Sequence, residues 1–280
     1  MFQPSKHQVA ISQHTIGCSQ RPQNLRVVAT PGSGKSRTLQ YLCEELQAAY
    51  RDVRVDVVAF NDRVAKKAAR EFPSCATAIT LHSAGKRALE NYMGRRYKMA
   101  DQMSADDGEL APYKTARIVA KLKEAGYIDR FANSKQVVRL VAAAKAVGLG
   151  PHNVTVGLTS PSEFTPTVQD TDDAWWDLIR YHQIQSSQPG ILIAAARAAL
   201  RRSIESGTAI IDFADMIYLP AHMPAVLFPT KHFVMVDELQ DLDAVQRRLV
   251  KKMLGECPKC GRVGAAGSPP MRRQIGRAHV

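Results

Sequence analysis

The stretch LRVVATPGSGKSRTL, residues 25–39, decides how the rest of the chain is read. Residues 25–29 are a short apolar, branched run of the kind that becomes a buried strand. Residues 30–34 are a small-residue loop, and from Ser36 the pattern turns helical, with Leu39, Leu42, Leu46 and Ala49 on one face. Strand, glycine-rich loop, Lys-Ser and helix, in that order, are the parts of a phosphate-binding loop. Backbone N–H groups of Thr30-Pro31-Gly32-Ser33-Gly34 (Pro31 has none to give) and of the first helical turn converge on an anion, whose charge the helix dipole favours. Gly32 and Gly34 let the backbone come close. Lys35 would reach the β- and γ-phosphates of a nucleoside triphosphate, and the Ser36 hydroxyl would ligate Mg²⁺. Ala29 stands where the consensus motif has its first glycine.

Composition sets the outer bounds. A chain of 280 residues, 45% of them apolar, is long enough for one large or two ordinary domains with a real core. The net charge of +12 and the pI of about 9.6 point to a polyanionic partner, most simply nucleic acid. No apolar run approaches the ~20 residues of a membrane span, so no membrane partner is expected. The N-terminal MFQPSKHQ lacks an apolar signal core, and five cysteines are few and odd in number; both lead to the expectation of a reduced, cytoplasmic setting.

Taken in order, Ser5 is placed to cap a helix, and the Gln8 side chain offers the donor and acceptor that suit an adenine edge. Residues 54–60, RVDVVAF, form a second buried strand ending in Phe60-Asn61; Asp62 is expected to cap the next helix, which Pro73 stops. A third strand, 76–80, runs into Leu81-His82-Ser83. All three strands deliver polar or aromatic groups to the carboxyl edge, where open α/β sheets bind ligands. Phe60 suits core packing as well as a ligand, and His82 a structural hydrogen bond as well as function.

Residues 86–206 are rich in Ala, Lys, Arg and Leu, with helical spacing over 113–125, 134–147, 172–185 and 192–206. One of Trp175 and Trp176 is expected in the core; base stacking is an alternative for the other. The α/β character returns at 208–211. A fourth strand, 231–236, runs straight into Asp237-Glu238-Leu239-Gln240-Asp241. Two acids at the end of an apolar strand are the expected second half of a nucleotide-hydrolysing site. Asp237 would hold the Mg²⁺, and Glu238 would orient and deprotonate the attacking water. Cys257 and Cys260 supply only two of the four ligands that structural zinc needs.

This ordered set resembles the UvrD/Rep-like superfamily 1 DNA helicases, specifically their N-terminal ATP-binding half. Phe2, Pro4, Ser5 and Gln8 look like the family's adenine-recognising Q motif. Residues 29–37, ATPGSGKSR, are similar to motif I, in which Arg37 would lie against the base. AFN at 59–61 resembles motif Ia and TLHSAG at 80–85 motif Ib, so the resemblance assigns Phe60, Asn61, His82 and Ser83 to single-stranded DNA. DFADMIYLP at 212–220 resembles the segment before motif II. VDELQD at 236–241 is similar to motif II itself, where Gln240 would couple the nucleotide to the DNA site.

The family continues with a strand and a Gly-Asp-Pro-x-Gln motif III; here residues 261–280 read GRVGAAGSPPMRRQIGRAHV, and Gly267-Ser268-Pro269 stands in that place. The closing IGRAHV also equals a translated sequencing adapter, so 266–280 is expected to pack poorly.

The fold expected is α/β: a RecA-like P-loop NTPase parallel sheet from 1–85 and 205–265, with an all-helical subdomain, 86–204, inserted. ATP and Mg²⁺ are the expected cofactors. Single-stranded DNA and a second RecA-like domain beyond this chain are the expected partners. The function expected is ATP-driven translocation or unwinding. A different P-loop ATPase, or a nucleotide- and DNA-binding fragment without turnover, are the alternatives.

Overall fold

The computed structural model describes residues 3–17, 24–30, 32–96, 98–99, 114–152, 154–156, 162–206, 210–229, 231–255 and 275–277. Contacts divide the chain into two units, one of 1–84, 228–242 and 250–280, the other of 85–227 and 243–249.

The first unit is built on five parallel strands in the spatial order β1 (Asn24–Arg26), β11 (Ile275–Arg277), β10 (Phe233–Val236), β2 (Val55–Ala59) and β3 (Ala76–Thr80). The sequences VDVVA and FVMV are buried along their whole length, as parallel strands covered on both faces must be. The single charge among them, Asp56, is neutralised by Lys231, whose Nζ lies 2.7 Å from its carboxylate. Helix α1 (Lys6–Gly17) precedes the sheet, and α2 (Lys35–Ala49) and α3 (Asp62–Glu71) follow β1 and β2. Leu39, Leu42, Cys43 and Leu46 of α2 pack with Val55, Val57, Phe233 and Met235 into one core cluster.

Three sequence expectations shift here. The first strand is shorter than 25–29 and ends at Arg26; Val28 is 76% exposed, so its branched side chain is not core. Asn61, not Asp62, caps α3, its side chain accepting from the Val64 N–H at 2.9 Å. Asn suits a non-helical N-cap as well as Asp, and Asp62 instead opens the helix, where its charge meets the dipole. Most consequentially, Ile275–Arg277 pairs between β1 and β10, in a stretch expected to pack poorly. Cys257 and Cys260 lie outside the described residues.

The second unit holds α5 (Lys114–Glu124), α6 (Ser134–Val147), α7 (Asp172–Tyr181), α8 (Pro189–Glu205) and α9 (Asp215–His222). Helix α4 (Leu81–Met93) starts in the first unit and runs into the second, and α10 (Ala244–Met253) is likewise shared. It is not purely helical. Two-residue strands pair as β4 (Lys98–Met99) with β9 (Ile210–Ile211), β5 (Leu149–Gly150) with β8 (Val168–Gln169), and β6 (Thr155–Val156) with β7 (Ser162–Glu163). Such short pairings leave no run long enough to register as a strand pattern in sequence. Residues 205–227 also group here rather than with the sheet. The helix expected over 172–185 ends at Tyr181, followed by Gln183 in a left-handed conformation.

The core of this unit contains a buried ionic knot. Lys114 of α5 donates to Asp215 at 2.7 Å and to the Ser203 carbonyl at 2.8 Å. Lys145 of α6 bonds Asp215 at 2.7 Å and Asp212 at 3.2 Å. The Asp215 N–H donates to the Asp212 carboxylate at 2.9 Å. Two lysines against two aspartates leave the knot neutral, the condition under which charges can be buried without leaving one uncompensated. Trp175 is fully buried, its indole N–H donating to Asp170.

Candidate nucleotide site

The carboxyl ends of β2, β3 and β10 and the loop before α2 carry the residues singled out from sequence. Gly32 and Gly34 have φ of 79° and 82°, a region that costs other residues strain. A Cβ built at either meets nothing within 4 Å, so the loop faces open space that a phosphate can enter. The Ser33 N–H donates to the Thr30 carbonyl at 3.2 Å, closing the turn. Thr30, Gly32, Ser33, Gly34 and Ser36 are exposed, and Pro31 lies outside the described residues.

Lys35, first residue of α2, reaches across to the loop after β10. Its Nζ is 3.0 Å from Glu238 Oε1 and 3.2 Å from Oε2. The Gln240 amide donates to the same Glu238 Oε2 at 2.5 Å. These hydrogen bonds, Gln240 first and Lys35 second, hold the Glu238 carboxyl below its ordinary range, so it is ionised. Glu238 sits at φ 52°, ψ 44°, a left-handed conformation uncommon for a side chain of its size. Asp237 behaves oppositely: burial and then the neighbouring Glu238 charge push its carboxyl up. Its N–H bonds the Val58 carbonyl at 3.1 Å, continuing the ladder, and its Oδ1 accepts from the Glu238 N–H at 3.1 Å.

Ser36 and Asp237 are oxygen donors suited to Mg²⁺, which takes few protein ligands and completes its shell with phosphate and water. Among the described residues no three His, Cys, Asp or Glu side chains gather as a metal cluster. The donor set and the open glycine loop therefore fit a magnesium–nucleoside triphosphate rather than an all-protein metal site.

Gln8 is held in place by its own helix. The Ser5 N–H donates to its Oε1 at 2.8 Å while its N–H donates to Ser5 Oγ at 3.3 Å, a reciprocal capping box. Its Nε2 donates to Thr38 Oγ1 at 2.9 Å, tying α1 to the phosphate-loop helix. The Ser-x-x-Gln spacing was the signal for the box; Thr38 gave none. Arg37 lies 3.6 Å from Glu44, and Phe2 is outside the described residues.

Phe60 follows β2 directly and is 58% exposed, which rules out core packing. β2 and β3 are paired Ala59 to Thr80, so Phe60 and Leu81-His82-Ser83 leave the sheet at the same edge. The Asn61 side chain is committed to its cap, and Ser83 to Thr80, whose Oγ1 accepts the Ser83 N–H at 3.2 Å. Burial lowers the His82 imidazole to about 4, so it is neutral near pH 7.

The structure thus joins Lys35, Glu238 and Gln240 in one cluster with Asp237 adjacent. No curated protein matches the chain. The family described as UvrD/REP helicase N-terminal domain matches residues 12–264. That match spans nearly all of the sheet, the phosphate loop and the acidic loop, and the chain belongs to this family, the RecA-like, ATP-binding part of DNA helicases.

Proposed function

We propose that the chain is the ATP-binding part of an ATP-driven translocase or helicase on single-stranded DNA, its ATP site completed by a second RecA-like domain. The observation that carries this is the Lys35–Glu238–Gln240 cluster at the carboxyl edge of the sheet. Gly32, Gly34 and Lys35 would hold the triphosphate, with Ser36 and Asp237 on Mg²⁺. Thr30, Pro31 and Ser33 would complete the loop, and Gln8 and Arg37 would contact the nucleobase. Mg²⁺ would supply charge neutralisation between the phosphates. Glu238, ionised and released by Lys35, would take the proton of the attacking water. Gln240 contacts Glu238 and is the residue through which DNA occupancy would reach the base. Phe60, Asn61, His82 and Ser83 would line the strand. Phe60 offers a ring for stacking, and the latter three act mainly by shaping the edge.

The test is steady-state ATP hydrolysis with and without single-stranded DNA, alongside DNA binding with and without a non-hydrolysable analogue. Coupling in either measurement supports the proposal. Nucleotide and DNA binding that ignore one another, with no turnover, favour the reading of a binding fragment.

A further inference from the structure

The second unit exposes an aromatic, amide-lined cleft that the proposed ATP site does not use. The loop after α5 is tightly built. Lys123 donates to the carbonyls of Arg130 and Ala132, Asp129 accepts from the Phe131 N–H at 2.7 Å, and Asn133 caps α6 by accepting from the Gln136 N–H at 3.2 Å. Opposite it, the loop after α7 is pinned to α6. The Gln136 amide donates to the Gln185 carbonyl, and Arg139 to the His182 carbonyl at 2.9 Å. Between the two loops lies a cleft of about 260 Å³, with Phe131, Ile191 and Leu192 among its apolar residues and Gln136, Gln185 and Gln188 among its polar ones.

So firm a scaffold nevertheless holds Phe131 72% exposed, with the Arg130 guanidinium 4.9 Å from its ring centroid. Tyr181, the last residue of α7, is 83% exposed and packs edge-on against His182. The cleft contains no carboxylate, and between 121 and 139 five cations (Lys121, Lys123, Arg130, Lys135, Arg139) outnumber two acids (Glu124, Asp129). Glutamine amides offer donors and acceptors together, as base edges do. A ring face flanked by cations and neutral amides is complementary to a base on a phosphate backbone: the base stacks on the ring and offers mixed donors and acceptors to the amides, while the phosphates meet the cations.

We infer that this cleft takes one nucleobase of a single-stranded nucleic acid, stacked on Phe131, with Arg130 and its neighbouring cations on the flanking phosphates. The inference rests on the proposed DNA-dependent function and adds a second contact point to it. The test compares a fluorescein-labelled oligo-dT with an abasic oligomer of equal length, by anisotropy, on the full chain. Phe131→Ala should weaken oligo-dT binding about five-fold or more, as loss of one stack does. It should leave abasic binding within about two-fold, since the phosphate contacts remain. Phe131→Trp should retain affinity. Phe131 is exposed, so neither change threatens the fold; Gln188→Ala, on the opposite wall, should weaken oligo-dT in the same selective way. If Phe131→Ala binds oligo-dT like wild type while Phe60→Ala is weakened, the cleft is overturned and the proposed function stands. Equal loss on both probes overturns stacking. A wild-type chain that binds neither probe overturns both.

Discussion

Glu238→Gln should make the chain bind nucleotide more tightly. In the structure Lys35 spends its charge on Glu238 at 3.0 Å, the two side chains being 16% and 33% exposed. At that distance, with an effective dielectric near 20, the Coulomb attraction is about 5 kcal/mol. Desolvation and screening reduce the net worth of so accessible a pair to about 1 kcal/mol. A triphosphate that recruits Lys35 must displace this contact. Glutamine keeps the shape, removes the charge, and also removes the repulsion between a carboxylate and the γ-phosphate. The expected gain is about five-fold in affinity. Titration of a fluorescent ATP analogue with Mg²⁺ against wild type and Glu238→Gln reads it directly. Joined to the proposed second RecA-like domain, the same variant should turn over orders of magnitude more slowly than its parent, because the base is gone. Unchanged or weaker nucleotide binding by Glu238→Gln would refute the idea that Lys35 is held by Glu238 until nucleotide arrives.

Other expectations follow from the same geometry. Asp215→Asn leaves Lys114 and Lys145 buried with half their counter-charge, and should cost about 3–5 kcal/mol in urea unfolding. Because Lys114 and Lys145 hold the Asp215 carboxyl below its ordinary value despite burial, its contribution is full above pH 4 and is lost as pH falls further. His82 also loses stability in acid, because burial favours its neutral form whereas Asp215 is held in its charged one. Its pKa falls from 6.5 to about 4 on burial, so the unfolded chain binds the proton more readily, and stability should decline between pH 6.5 and 4. An NMR titration placing His82 above pH 6 would contradict its burial. Gly85→Ala would set a Cβ 1.8 Å from the Met216 carbonyl oxygen, a backbone clash, and should cost about 1–3 kcal/mol or more in thermal unfolding.

What was legible in the sequence was whatever local pattern dictates. The branched runs of β2 and β10 and the capped helix α6 sit where periodicity put them, because burial on both faces or on one stripe writes itself into neighbouring residues. The glycine loop and the acidic loop were legible as two halves of one chemistry, and Lys35 and Glu238 meet across 203 positions. What stayed hidden depends on long-range pairing. No local pattern joins Gln8 to Thr38, or Lys114 and Lys145 to Asp215. Gly276 in β11 carries no branched side chain to mark a strand, yet it pairs with both Leu25 and Met235. The exposed Phe131 was unreadable because sequence shows an apolar residue and not the direction it faces.

The central claim is that residues 29–37 and 236–241 form one ATP site, and a single equilibrium titration tests it most directly. Wild type and Lys35→Ala are titrated with a fluorescent ATP analogue in the presence of Mg²⁺. Removing Lys35, the cation at the start of α2 that pairs with Glu238, should weaken binding about ten-fold or more, as expected for a lost charge-assisted contact of about 1.5–3 kcal/mol. Equal affinity in the two proteins would contradict the account.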